Sequence, residues 1–530
     1  MADASPRLAR SAGVIGIATM TSRVLGLVRE QVLAFYFGAG DAMDAFNVAY
    51  RVPNLVRDLF AEGAMSAAFI PTFAKRLASG SRESSWLLAN SVINVLLLVT
   101  GAIVIAGIVF AEPLLRAFAG DYAEVPGKFE LTVELTRIMV PFLTLVALAA
   151  VLMGMLNALG HFFVPALSPA MFNVGTIVCA LAFIPFAPQL GVAPIVIVAI
   201  GTIVGGLGQL LIQLPPLGRE GYRYRPTLDT RDEGLRRILL LMVPGTVGLA
   251  ATQINVFVNT MLATDQGTGA VSWLNYAFRL MYLPIGLFGV SIATAATPAM
   301  SRLAHDEDYP RMRSTIANAL GLMMMLNVPA TLGLIALASP IIALIFERGS
   351  FTSEDTAATA AALRWYAVGL VGYSVVRIVS PTFYALGKAR VPVTVSVVSV
   401  FINVALNLAL VRVMGYRGLA LGTSLAALIN AATQLVLLRR AMGGIEGRRV
   451  IVTLAKVVVA SAAMAAAAWA TDLWMMQLLP GSAFVMQAAR VAASIAVALV
   501  VLAAASTLLR VREFEEARDM VLGRLRRMLR

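Results

Sequence analysis

Long apolar runs, each near the roughly 20 residues that cross a bilayer's hydrocarbon core, recur along the whole chain between short polar stretches. They predict fourteen transmembrane helices, at roughly 13–38, 44–74, 87–110, 131–157, 164–187, 193–216, 238–263, 270–300, 314–346, 358–386, 392–413, 418–438, 451–478 and 486–508. Several are interrupted by Pro or Gly, and the 314–346 run is long enough for a span plus a short extra piece, broken near Pro340. After the last run, Val511, Phe514, Val521, Leu525 and Met528 fall near one helical face with Arg on the other, which predicts an interfacial helix over 511–530.

Composition turns this pattern into an exclusion. Of the 530 residues 59% are hydrophobic and 13% charged, against about 45–50% and about 25% in ordinary soluble domains. A soluble fold is excluded, and so is disorder, which needs low hydrophobicity and high charge. The net charge of +13 would point to nucleic acid in a soluble chain, but here the basic residues alternate between loops. Arg7 and Arg10, Lys75 and Arg76, the Arg219–Arg237 group, Arg302 to Arg313, Lys388 and Arg390, Arg439 to Arg449 and the C-terminal arginines all fall on one side. The opposite side pairs a few bases with Glu112, Asp121, Glu124, Glu130, Glu347, Glu354 and Asp355. The bias therefore sets membrane orientation, with both termini cytoplasmic, and implies no nucleic-acid partner. The first run is interrupted by Arg23 and Arg29 and lacks a clear cleavage site, so it reads as helix 1 rather than a signal peptide. A single cysteine, Cys179, and two histidines, His161 and His305, leave no disulfide framework, no thiolate or His-rich metal site and little for a His relay. On its short turn His161 reads as a solvated polar residue.

Sliding the chain against itself reveals a repeat at an offset of about 227 residues. Asn47-Val-Ala-Tyr-Arg51 matches Asn275-Tyr-Ala-Phe-Arg279, Leu59-Phe60 matches Leu287-Phe288, Pro71 falls on Pro298, and Ala158-Leu-Gly-His-Phe-Phe-Val-Pro165 matches Ala385-Leu-Gly-Lys-Ala-Arg-Val-Pro392. The expected fold is an all-α polytopic membrane protein with two six-helix halves, 1–216 and 235–440, joined by a basic linker, 217–234. An even number of helices per half implies a pseudo-twofold along the membrane normal. Two additional helices occupy 441–510, and 511–530 is a cytoplasmic amphipathic tail.

Several charges lie inside predicted spans. Arg23 sits at least about ten residues, or about 15 Å, from either end of helix 1. Arg29 and Glu30 follow it; helix 2 carries Asp44, Arg51, Asn54, Arg57, Asp58 and Glu62, helix 8 Asn275 and Arg279, and helix 10 Arg364 and Arg377. A central Arg facing lipid costs about 2.5–3.5 kcal/mol, so Arg23, Arg51, Arg57 and Arg279 together would cost roughly 10–14 kcal/mol, comparable to a protein's whole stability. They must face protein or a water-filled cavity. Either each is locked in an internal ion pair, such as Arg51 or Arg57 with Asp58 or Glu62, or the cavity holds an anion. The excess of Arg over Glu30, Asp58 and Glu62 favours phosphate or carboxylate from a ligand.

Other patterns carry less. Gly201, Gly205 and Gly208 have the spacing of ordinary close helix contact, and Pro53, Pro141, Pro284 and Pro298 predict kinks or breaks. No Walker motif, metal triad or nucleophile elbow appears.

One set of motifs is specific. Ser22-Arg-Val-Leu-Gly-Leu-Val-Arg-Glu30, Phe37-Gly-Ala-Gly40, Asp44-Ala-Phe46, Val52-Pro-Asn-Leu-Val-Arg57, Phe60-Ala-Glu-Gly-Ala64 and Ala68-Phe-Ile-Pro71 closely resemble the MurJ/MviN family of lipid II flippases, within the multidrug/oligosaccharidyl-lipid/polysaccharide exporter superfamily. Val271-Ser-Trp-Leu-Asn-Tyr-Ala-Phe-Arg-Leu280 resembles that family's second signature. The resemblance implies a V-shaped inner-membrane transporter whose cationic cavity alternates between cytoplasmic and periplasmic access. Its cargo would be undecaprenyl-pyrophosphate-linked disaccharide pentapeptide, lipid II. By motif position it assigns substrate binding to Ser22, Arg23, Arg29 and Arg279, and gating or cavity roles to Asp44, Asn54, Arg57 and Glu62. It also implies a lipid-tail groove in the last two helices. Phe278 departs from relatives with an acidic residue there, so an ion pair at that place is not expected.

The expected mechanism has Arg23, Arg29 and Arg279 clamping the pyrophosphate while Arg57 and Asp44 hold or switch gates. No cofactor is expected; membrane potential or an ion gradient would drive release, with the coupling ion illegible. A complete cavity in one chain makes a monomer the simpler expectation. A cation-drug antiporter would want a net acidic cavity. A membrane enzyme on polyprenyl-linked sugars would need paired carboxylates, for which only Asp58 and Glu62 are placed, and a scaffold would tolerate loss of the arginines.

Overall fold

In a computed structural model, which describes residues 4–58, 66–481, 483–516 and 518–519, the chain is helix and turn with no strand among the described residues. Eleven helical segments among them are long and apolar enough to span a membrane. The other three expected spans fall on Ala4–Phe37, on Asp41–Arg57 together with Ser66–Ser79, and on Glu233–Thr264. The chain is an all-α multi-span membrane protein.

Two compact units emerge, Met1–Ser272 with Arg348–Ser350, and Trp273–Glu347 with Phe351–Arg530. The first holds α1 (Ala4–Phe37), α2 (Asp41–Arg57), α3 (Ser66–Ser79), α4 (Arg82–Val109), α5 (Ala111–Phe118), α6 (Lys128–Met139), α7 (Phe142–Ala158), α8 (Phe163–Phe183), α9 (Ala187–Leu190), α10 (Pro194–Leu211), α11 (Leu214–Arg219) and α12 (Glu233–Thr264). The second holds nearly all of α13 (Ala270–Pro284), then α14 (Val290–His305), α15 (Tyr309–Ala336), α16 (Ala338–Phe346), α17 (Ser353–Val368), α18 (Leu370–Ala385), α19 (Arg390–Met414), α20 (Tyr416–Met442), α21 (Gly447–Leu478) and α22 (Phe484–Leu508). The repeat survives in element order. The break between α4 and α5 at Phe110 and that between α15 and α16 at Leu337 lie 227 residues apart, as do the first residues of α8 and α19.

Local chemistry sets these boundaries. Ser81 caps α4 by accepting the Ser84 N–H, and Thr352 and Asp355 form a reciprocal capping box on α17. Pro141 separates α6 from α7, and a π-helical turn, Ile285–Gly289, follows Pro284. Within the first unit α8 and α10 meet backbone to backbone. A Cβ on Gly175 would lie 2.5 Å from the Gly205 Cα, and one on Gly205 2.7 Å from the Phe172 Cα, so the small residues set the approach.

Packing divides the chain differently from the repeat. The repeat assigns the sequence of α12 to the second half, whereas its side chains Leu235, Ile238 and Met242 join a first-unit core with Phe69, Phe73 and Trp86. The linker explains why, because it runs along α4 as a strap. Tyr222 and Tyr224 donate their hydroxyls to the Asn90 and Asn94 side chains at 2.7 and 2.6 Å, and Asn94 donates back to the Thr227 carbonyl at 2.7 Å. Glu220 accepts from Arg82 at 3.1 Å and lies 2.9 Å from the exposed His161, which together hold its carboxyl below the usual range.

The strap ends at Asp232, which caps α12 through the Leu235 N–H at 3.0 Å and takes two bonds from Arg76 at 2.6 and 3.1 Å. Partial burial opposes ionisation of Asp232, but the Arg76 guanidinium and the capped amides outweigh it and leave its pKa below the ordinary value. In the second unit Val511 packs into a methionine-rich core with Met300, Met312 and Met323. Glu513 is buried and accepts from Thr453 at 3.3 Å. The start of the tail thus docks onto protein rather than lying free at the interface; residues 520–530 are outside those described.

Two predictions follow from this packing. Gly205→Leu should destabilise the folded protein by about 1–3 kcal/mol through overpacking, whereas Gly101→Ala, where a Cβ meets nothing within 4 Å, should be neutral; thermal denaturation in detergent separates them. For Asp232 the unfolded chain takes up its proton first, near pH 4. The contribution of Asp232 is therefore complete above about pH 4 and lost as pH falls through its lowered folded pKa. Asp232→Asn should lower stability at pH 7 and flatten the pH dependence below 4.

Candidate functional site

The expected site residues sort by how their charges are satisfied. On α1, the Ser22 carbonyl accepts from Asn173 of α8 at 3.1 Å. Arg23, one residue on, is half-buried and has no hydrogen-bond or ion-pair partner among the described residues. Arg29 differs: it is 6% exposed, its Nε donates to Glu30 Oε1 at 3.2 Å, and its guanidinium lies 4.7 Å from the Phe172 ring centroid. Phe172 belongs to an aromatic stack with Tyr50 and Phe142, at 5.7 and 5.3 Å, a floor suited to a cation.

At the other end of α2, Asp58 is a hub. It accepts two bonds from Arg57 at 3.0 and 2.7 Å, one from Asn54 at 3.3 Å, and one from Gln253 of α12 at 3.1 Å. The internal-pair reading therefore describes Arg57 with Asp58, and Arg29 with Glu30. Glu62, the other expected partner, lies outside the described residues.

Asp44 is fully buried and held from three directions. Lys128 of α6 donates at 3.1 Å, the Gly269 amide at 2.7 Å, and Ser272 through its amide at 3.1 Å and its hydroxyl at 2.7 Å. Lys128 also pairs with Asp41 at 2.8 Å and sits 4.2 Å from the Tyr122 ring. Asp44 and Arg57 stand thirteen residues apart on one helix, about 20 Å at 1.5 Å per residue. They stand at separate positions with separate partners.

In the second unit Arg279 is half-buried on α13 and donates to Asn275, one turn earlier, at 3.4 Å. Phe278 stacks with Tyr282 at 5.9 Å and meets Tyr366 edge-on at 5.4 Å, so that position is aromatic, as its residue type implies. Among the described residues no cluster of three or more His, Cys, Asp or Glu could hold a metal ion. Sequence reasoning missed Lys128, Gln253 and Phe172. Only Lys128 left a trace, as one of two bases, with Arg116, among the acids of its loop.

The family model described as lipid II flippase MurJ matches residues 33–489. A probable lipid II flippase MurJ of Vibrio cholerae is 36% identical over 436 residues, covering 81% of this chain and 82% of its own length. One from Bdellovibrio bacteriovorus is 36% identical, covering 89% and 90%. A solved lipid II flippase MurJ in an inward closed conformation superposes with a TM-score of 0.76 at 26% identity, covering 94% of this chain and 98% of that one. An inward-facing multidrug MATE transporter matches at TM-score 0.70 and 18% identity over 82% of this chain and 99% of that one, a likeness of fold alone. With an interrupted run of membrane helices, arginines placed within them and matching relatives along most of its length, the chain belongs to the MurJ family of lipid II flippases.

Proposed function

We propose that this chain carries lipid II from the cytoplasmic to the periplasmic leaflet of the bacterial inner membrane by alternating access, with both termini cytoplasmic and one chain as the working unit. It is a transporter and not an enzyme, as its family is. The observation that carries the reading is Arg23, a half-buried cation in an apolar helix with no partner among the described residues. A pyrophosphate and its sugar–peptide head cannot cross about 30 Å of hydrocarbon unaided, whereas a polyprenyl tail stays in lipid at little cost. A protein with cations held in reserve supplies the missing counter-charge.

Arg23 and Arg279 contact the pyrophosphate. Arg29, already neutralised by Glu30 and packed on Phe172, contributes by reorienting or by fixing the floor on which the anion sits, with Ser22 beside it. The Asp58 hub with Arg57 and Asn54, and the Asp44 cluster, act as gates at the two ends of α2, and Glu62 has a gating or cavity role. Release needs a driver, because tight binding alone traps cargo. Membrane potential supplies about 2.3 kcal/mol per charge per 100 mV; an ion gradient is the alternative, and no cofactor enters.

Complementation in a bacterium depleted of its own lipid II flippase tests the reading. The intact chain should restore outer-leaflet lipid II, and Arg279→Ala at matched membrane levels should reduce it by at least about tenfold, the loss expected for one charge-assisted contact. If the intact chain inserts and leaves lipid II exposure unchanged, the cargo is wrong. Normal transport by Arg279→Ala removes Arg279 from the site.

A further inference from the structure

Arg377 is one of the intramembrane arginines for which the family resemblance supplied no role. It stands on α18, eight residues before the end of that helix, about 12 Å along the axis, too deep to reach the interface comfortably. Its Nη2 donates to the Tyr282 phenol oxygen, and its guanidinium lies 5.7 Å from that ring's centroid. No carboxylate among the described residues pairs with it, and Tyr282 is 38% exposed.

The chemistry of this contact points outward. Because the guanidinium donates into the phenol oxygen, the Tyr282 hydroxyl hydrogen is left for a different acceptor, and Arg377 keeps further N–H groups unused. The pair can offer both kinds of donor to one external oxygen. Beside it, Ser374 is fully buried and its Oγ has no partner among the described residues. The π turn ends there at Gly289, where a Cβ would come 3.5 Å from Arg377 Cδ and 3.8 Å from Ser374 Oγ. On α13 the residues Asn275, Arg279 and Tyr282 occupy successive turns of one face.

We propose that Tyr282 and Arg377 form a second phosphate-binding position, one helical turn from Arg279, that takes a phosphoryl oxygen on its cytoplasmic side before Arg279 does. The direction and the cargo rest on the flippase reading. The phosphoryl group belongs either to a polyprenyl pyrophosphate or to the headgroup of a bulk phospholipid, and the test keeps these apart.

Purified full-length protein in detergent is titrated with undecaprenyl pyrophosphate and, separately, with phosphatidylglycerol, using the intact chain, Arg377→Ala, Arg377→Lys and Tyr282→Phe. Arg377→Ala should weaken undecaprenyl pyrophosphate binding about tenfold, the worth of one charge-assisted bond. Tyr282→Phe, which removes only the hydroxyl, should weaken it by a smaller factor, and Arg377→Lys should retain most of it. If Arg377→Ala does not fold, Tyr282→Phe decides. Loss of phosphatidylglycerol binding alone would support a phosphate position but take it from the cargo and give it to bulk lipid, against the flippase reading here. Unchanged binding of both lipids in folded Arg377→Ala or Tyr282→Phe protein overturns the proposal.

Discussion

A charged guanidinium inside hydrocarbon has to be answered by something, and most of this structure follows from how each answer is made. Within the first unit Arg29 is answered by Glu30 and the Phe172 face, Arg57 by Asp58, and Lys128 by Asp41, Asp44 and the Tyr122 ring. Breaking the buried Lys128–Asp44 pair strands the remaining charge, at about 3–5 kcal/mol, so that cluster ties α2 to α6. Among the described residues Arg23 has no such answer, and Arg377 is met by a phenol and by no carboxylate. In the proposed function a mobile anion takes there the place of the fixed carboxylate that Arg29, Arg57 and Lys128 have.

The scaffold keeps those cations in place while leaving segments able to change. Backbone contact of α8 with α10 through Gly175 and Gly205, and the strap hydrogen-bonded along α4, make the first unit stiff. By contrast α13 gives way to a π turn at Ile285–Gly289 before α14 begins. Such turns leave local backbone bonds poorly satisfied and recur at functional sites; here one lies against Arg377. Asp44 meanwhile holds Gly269 and Ser272 through four hydrogen-bonding groups counting Lys128, so any change at the start of α13 must first dissolve that cluster.

The helices were readable because apolar length and Pro or Gly interruptions are local properties. The break expected near Pro340 occurs at Leu337, three residues earlier, and the 227-residue repeat reappears in the helix boundaries. The arginines were readable for the same reason, since an ion in an apolar run is conspicuous. Their partners were not. Lys128 reaches Asp44 across 84 residues and Gln253 reaches Asp58 across 195, and nothing in the local pattern of either residue announces the other. The strap was invisible for a related reason: Tyr222 and Tyr224 look like interface aromatics until Asn90 and Asn94 stand one turn apart to receive them. At the start of the tail, Val511 and Glu513 are buried against protein, which the local pattern did not announce.

The most direct test of the central claim is transbilayer movement itself. Purified protein is reconstituted into liposomes carrying fluorescent lipid II in both leaflets, and the fraction reached by an impermeant quencher is followed in time with and without an imposed potential. Lipid II of the protected leaflet should become accessible with the intact chain, faster under potential, and far more slowly with Arg23→Ala. Protein that is folded and inserted but leaves the protected fraction unchanged, while a labelled cationic drug crosses, would contradict it.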